Sequence, residues 1–157
     1  MTPAGETGPQ RHDDHERVAF ERLIPSDIRE IEPIVEQVTR ECRGLALTAR
    51  QCALNVPVAL TEALSNAILR GNRGVREKHV RVRAVVSDHA LVLEVADEGT
   101  GFDLDACTID PTSPGNLERE DGRGLFLMRA LMDQVERFDT GPDSTQGNVV
   151  RLTLTRA

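Results

Sequence analysis

"EALSNAILRGN", residues 62–72, sets Glu62 and Asn66 four positions apart in a run that is otherwise mostly apolar. Leu60, Ala63, Leu64, Ala67 and Ile68 recur at the three- and four-residue spacing of a helix buried along one stripe. Gly71 and Gly74 mark its end. Four positions are about one helical turn, so Glu62 and Asn66 share a face, opposite the apolar stripe. A helix that only packs has little use for such a pair.

The elements on either side follow from the same spacing arguments. Upstream, helical periodicity starts near Thr48 and meets Pro57, which lacks a backbone donor. A kink or a fresh start is expected at Asn55, a good N-cap residue. Ile28, Ile31, Ile34, Val35 and Val38 predict an earlier helix, capped by Ser26, running through Cys42 and stopped by Gly44. Pro33 marks where its regular part begins. "RVAFERLI", residues 17–24, reads as a first strand with Val18, Phe20 and Arg22 on one face. Downstream, residues 79–86 and 90–96 alternate as two strands joined at Ser87 and Asp88. A long irregular stretch, residues 103–121, precedes a short apolar helix over 123–134. "VERF" and "VVRLTLTR" close the chain as strands around the loop "DTGPDSTQG". This order predicts an α+β fold: a two-layer sandwich with helices on one face of a mixed, largely antiparallel sheet.

The 157 residues suit one domain, expected over 17–157 behind a disordered tail at 1–16. Aromatics are only 3%, with no Trp or Tyr, so the core is aliphatic and base-stacking platforms are excluded. A net charge of -7 argues against a nucleic-acid binder or a membrane-surface protein. The basic run Arg70, Arg73, Arg76, Lys78, Arg81 and Arg83 reads as a solvated loop and one strand face. Cys42, Cys52 and Cys107 form no CxxC and read as small buried hydrophobes in a reducing compartment. His12 and His15 lie in the polar tail. The N-terminus has no apolar signal region and no stretch reads as a membrane span, so a cytoplasmic protein is expected.

Three segments carry chemistry. In the first, a carboxylate such as Glu62 is a natural general base, and the amide oxygen of Asn66 is a hard neutral ligand suited to Mg²⁺ that also holds phosphates and water. Taken alone, the pair is equally an ordinary surface glutamate with a backbone-bonded asparagine. The second, "DEGTG" at 97–101, changes that balance. Asp97 ends a strand and runs into Gly99 and Gly101, which permit positive φ and the close approach of a flat ligand. A carboxylate there accepts the exocyclic amine of adenine and repels the carbonyl that guanine presents at the same place. In the third, "GRGLFLM", Gly122 and Gly124 lead into a helix whose first N–H groups suit phosphate. Neither a P-loop nor a Rossmann fingerprint is present.

In this order, with "EALSNA" at 62–67, "DEGTGFD" at 97–103 and "GRGLFLMRALMD" at 122–133, the chain resembles the GHKL (Bergerat-fold) ATPase superfamily over about residues 18–156. Within it the chain looks most like the small anti-sigma-factor serine/threonine-protein kinases. The resemblance implies that Glu62 is the catalytic base and Asn66 the Mg²⁺ ligand. It puts Asp97 on adenine and has Gly99 and Gly101 shape the adenine pocket. Gly122, Gly124 and the adjoining Leu125 then border the phosphates, residues 103–121 form the ATP lid, and Arg119 is a candidate for the γ-phosphate. The implied cofactors are ATP and Mg²⁺. The implied partners are a STAS-type anti-anti-sigma substrate and a sequestered sigma factor, with a homodimer admitted. Arg70 stands where the family commonly has His, Asn148 where "GTxV" has Thr, and the lid is slightly long. Two rivals remain open: a non-catalytic ATP-binding switch, and a stand-alone histidine-kinase catalytic domain.

Overall fold

The computed structural model describes residues 16–99, 120–139 and 147–155. Among them, β1 (Arg17–Pro25), α1 (Ile31–Arg43), α2 (Val56–Asn66), β2 (His79–Val86), β3 (Ala90–Asp97), α3 (Glu120–Leu131), β4 (Gln134–Asp139) and β5 (Asn148–Thr155) follow in chain order. The sheet runs β1-β2-β3-β5-β4, and every neighbouring pair is antiparallel. The α+β sandwich expected from the sequence is therefore present, with a wholly antiparallel sheet among the described strands.

Period-two alternation explains the strands. Val80, Val82, Ala84 and Val86 of β2, Leu91, Leu93 and Val95 of β3, and Val150, Leu152 and Leu154 of β5 are all buried on the helix side. The intervening Arg83, Glu94 and Arg151 form an ion-pair row on the open face, with Arg151 also lying over the Phe138 ring. Arg73, Arg76, Lys78 and Arg81 are exposed, as read. In β1 the register shifts between Val18 and Phe20, so Val18 pairs with Val85 and Phe20 with Ala84. This bulge corrects the expectation that Val18 shares a face with Phe20 and Arg22: the extra residue turns Val18 to the open side.

The helices fill the layer with aliphatic side chains. Ile34, Val38 and Cys42 of α1 meet Val56, Ala59, Leu60, Ala63 and Leu64 of α2 in one core cluster. Fully burying a leucine such as Leu60 or Leu64 contributes about 1.5–3 kcal/mol. Cys42 and Cys52 are buried free thiols, and burial pushes the Cys42 thiol up to about 12. Cys107 lies outside the described residues.

Two helix starts differ from expectation. Asp27, not Ser26, caps the α1 region, accepting the Arg29 N–H at 2.9 Å. Ser26 is buried, and its hydroxyl donates to the Lys78 carbonyl at 2.5 Å. Asn55 is no cap either: its backbone is helical (φ −57°, ψ −51°), and its side chain donates to the Leu131 carbonyl at 2.7 Å. The helix runs on through Pro57 because the preceding turn, Gln51–Asn55, is a wider π turn, and the Val56 N–H bonds back to Gln51. A second π turn, Ala67–Gly71, follows α2. Wide turns absorb a proline or re-aim a helix end, and they concentrate at functional sites. The continuous helix Gln51–Gly71 spans 21 residues and is long and apolar enough to cross a membrane by composition, contrary to the sequence reading. Val56, Ala59, Leu60, Ala63, Leu64, Ala67 and Ile68 of this helix are instead part of the core described above, while Leu69 is exposed.

Candidate functional site

Glu62 and Asn66 are both half-buried on α2. The helix that packs across them is α3, and Gly124 faces both side chains. A Cβ built on Gly124 would lie 3.5 Å from Oε2 of Glu62 and 3.8 Å from Nδ2 of Asn66. Glycine here leaves open the space between the two side-chain tips and the backbone of α3. Sequence spacing alone did not reveal this contact between the first and third segments.

The same helix ends on the second segment. Gly71, in the closing π turn, lies directly against the Asp97 carboxylate, and any side chain at Gly71 would collide with it. Gly99 lies in turn against the Gly71 carbonyl, with no room for a Cβ. Gly99 is thus required for close approach rather than for the positive φ expected of it, since positive φ among the described glycines occurs only at Gly74 and Gly147. Asp97 is 5% exposed. It accepts the Gly99 N–H at 2.7 Å on one oxygen and the Asn148 amide at 3.1 Å on the other. Burial pushes its carboxyl above the ordinary carboxylate range, while those two donors and the nearby Arg137 charge pull the other way.

Asn148 stands directly opposite Asp97 in the β3–β5 register and is fully buried. Its Oδ1 accepts from Arg137 Nε on β4. The departure from Thr at this position is therefore a side chain committed at both ends. Around the other side of Asp97 lies a second buried amide, Asn72. Its Nδ2 donates to Ser26 Oγ at 2.8 Å and to the His79 carbonyl at 3.1 Å, and its Oδ1 accepts the Glu98 N–H at 2.7 Å. Ser26, Asn72, Asp97 and Asn148 are the buried polar residues among those described, and all four gather at this end of the sheet. Buried polar groups persist only when paired, and here each is. Sequence reasoning missed Ser26, Asn72 and Arg137. The available signal was weak: an Asn just past a helix end, and an Arg at a helix-facing position of a strand.

Other expected positions resolve unevenly. Gly101, Arg119 and nearly all of the lid lie outside the described residues. α3 begins at Glu120, three residues earlier than predicted, so Gly122 and Gly124 sit within its first two turns rather than ahead of it. Interior glycine costs a helix about 1 kcal/mol, and a Cβ at Gly124 would make only ordinary contact with Glu62 and Asn66. Leu125 is buried at 1% exposure and belongs to the core. Among the described residues no cluster of three His, Cys, Asp or Glu side chains is placed to hold a metal ion.

Residues 24–154 match the model of the histidine kinase-like ATPase domain. The chain belongs to that family. An anti-sigma F factor from Clostridium acetobutylicum is 31% identical over 126 residues, covering 77% of this chain and 75% of that protein. The anti-sigma F factor of Bacillus subtilis is 28% identical over 86% of this chain and 82% of its own length. A serine-protein kinase RsbW from Listeria monocytogenes is 30% identical over 54% of this chain and 57% of its own length. The fold is also similar to a chain in the SiaB-SiaC complex from Pseudomonas aeruginosa, with TM-score 0.65 at 15% identity over 88% of this chain and 91% of that one. The resemblance to the GHKL superfamily and its anti-sigma kinases is thus borne out, and this histidine kinase-like ATPase domain has protein kinases among its relatives.

Proposed function

We propose that this ATPase domain is an ATP-dependent serine/threonine-protein kinase of the anti-sigma-factor type, acting in the cytoplasm on a STAS-type anti-anti-sigma protein and sequestering a sigma factor. The observation that carries the proposal is the convergence on one helix. Gly124 meets Glu62 and Asn66 at its middle, and the Asp97 carboxylate meets Gly71 at its end. Gly71 lies five residues beyond Asn66, about 7 Å along the axis. In this reading a base-recognising carboxylate and a phosphate-side pair serve the two ends of one bound nucleotide.

In this reading Asp97 accepts the adenine amino group, and the close packing of Gly71 and Gly99 around it sets that carboxylate in place. Asn66 would hold Mg²⁺. A single neutral amide suits an ion that takes most of its ligands from phosphates and water, and no carboxylate cluster competes for it among the described residues. When bound, the ion offsets negative charge on the phosphates. Glu62 accepts the proton of the partner's hydroxyl as the new O–P bond forms and the bond from the γ-phosphorus to ADP breaks. Arg119 on the lid would steady the transferred group. The phosphorylated partner then leaves, because the added charge is repulsive and costly to desolvate in an interface.

The test is to incubate the protein with γ-labelled ATP and purified STAS-domain candidates. Acid-stable label on the partner is expected. Acid-labile label would mean transfer to histidine, and ATP binding without label would mean a non-catalytic switch; either outcome overturns the kinase reading.

A further inference from the structure

Asp97 can select a base only if it stays a hydrogen-bond acceptor, and its burial works against that. We infer that Arg137 and Asn148 form a two-residue relay that holds Asp97 as an acceptor, making Arg137 a specificity-determining residue although it lies on an edge strand. This rests on the reading of Asp97 as the group that meets the base.

The argument is one of donors and acceptors. An arginine can only donate, and an asparagine amide has one end of each kind. Arg137 Nε occupies the Oδ1 end of Asn148, so only the Nδ2 end is left to face Asp97, where it donates at 3.1 Å. The Gly99 N–H donates to the other carboxylate oxygen at 2.7 Å. Both neighbours are therefore donors, and each demands an acceptor in Asp97. Without Arg137 the amide is free to turn over. It would then present its oxygen to Asp97, which favours a protonated carboxyl that donates. That one proton is taken by the Asn148 oxygen, so Asp97 offers the base only a neutral carboxyl, which accepts the amine of adenine less strongly and repels the ring carbonyl of a 6-oxopurine less. Asn148 is fully buried and in register with Asp97, and both of its ends are taken up by protein partners. Arg137 reaches it diagonally from the same face, being two residues before Asp139, which pairs with Asn148. The relay also gives a physical use to Asn148 itself, since its amide is the link through which a charge on β4 acts on a carboxylate on β3.

The experiment measures ATP and inosine triphosphate affinity by calorimetry on the full chain for wild type, Arg137→Met, Arg137→Lys and Asp97→Ala. Wild type is expected to prefer ATP. Arg137→Met is expected to cut that preference about tenfold, the scale of one charge-assisted hydrogen bond, with Arg137→Lys keeping most of it. A purely structural role would weaken both nucleotides alike. Should Arg137→Met fold poorly, Asn148→Val severs the relay at its other member and is expected to lose the same preference. An unchanged ATP-to-inosine triphosphate ratio in Arg137→Met or Asn148→Val, with the ratio lost in Asp97→Ala, overturns the relay alone. A ratio untouched by Asp97→Ala overturns the base-contact reading and the relay with it.

Discussion

Asp97 carries opposed demands from folding and binding. Its folded-state carboxyl is raised above the ordinary value, chiefly by burial. The folded protein therefore holds that proton more tightly than the unfolded chain does. Its contribution to stability is full below the unfolded value of about 3.9 and is lost as pH rises through the raised folded value. Adenine binding runs the other way, because it needs the ionised form. Lowering pH toward the carboxylate range is expected to weaken ATP binding while Asp97's own share of stability grows; calorimetry and thermal unfolding at matched pH values check both signs. Glu62 makes a separate demand. Replacing a general base removes about 10²–10⁴-fold of rate, so Glu62→Gln is expected to lose phosphotransfer on that scale and to keep ATP affinity, as read from label transfer beside a binding isotherm. Unchanged transfer in that variant refutes the role given to Glu62.

At the scale of elements, the long helix through α2 does three jobs with three kinds of residue. Its buried leucines hold the core, its half-buried Glu62 and Asn66 face α3, and its terminal Gly71 admits the Asp97 carboxylate. Gly71→Ala forces a methyl group into that carboxylate. Overpacking of this kind costs about 1–3 kcal/mol, so a lowered Tm is expected together with loss of ATP binding. Leu64→Ala is expected to cost about 2–5 kcal/mol by opening a cavity, with ATP affinity retained wherever the variant is folded. Asn55 joins the start of the same helix to the last carbonyl of α3 at 2.7 Å. That bond satisfies a group every helix end leaves without a partner, and it ties the end of α3 to the long helix.

For the whole molecule, nucleotide binding and folding are linked. A ligand at one hundred times its Kd adds about 2.7 kcal/mol to stability. For a domain of this length each kcal/mol moves Tm by roughly 2–4 °C. Saturating ATP with Mg²⁺ is therefore expected to raise Tm by roughly 5–10 °C in a thermal melt, and chelating the metal is expected to remove most of that rise. No shift with either nucleotide or metal would contradict a site shared by the three segments.

The sequence by itself determined the elements and their chemistry. Period-two and period-3.6 apolar patterns located the strands and helices to within a few residues, because burial of one face dictates those periods. The spacing of Glu62 and Asn66 and the run Asp97–Gly99 named the candidate groups, because one helical turn and one strand end are local geometry. Tertiary structure alone decided what touches them. That Gly124 meets Glu62, that Gly71 makes room for Asp97, and that Arg137 reaches Asp97 through Asn148 depend on residues 11 to 62 positions apart being brought together by strand register and helix packing. Local sequence carries no record of such partners, since a glycine, an asparagine or a strand arginine looks the same whether it lines a site or a surface. The β1 bulge and the π turn before Pro57 were hidden for the same reason: each is a local irregularity that only the packing around it makes favourable.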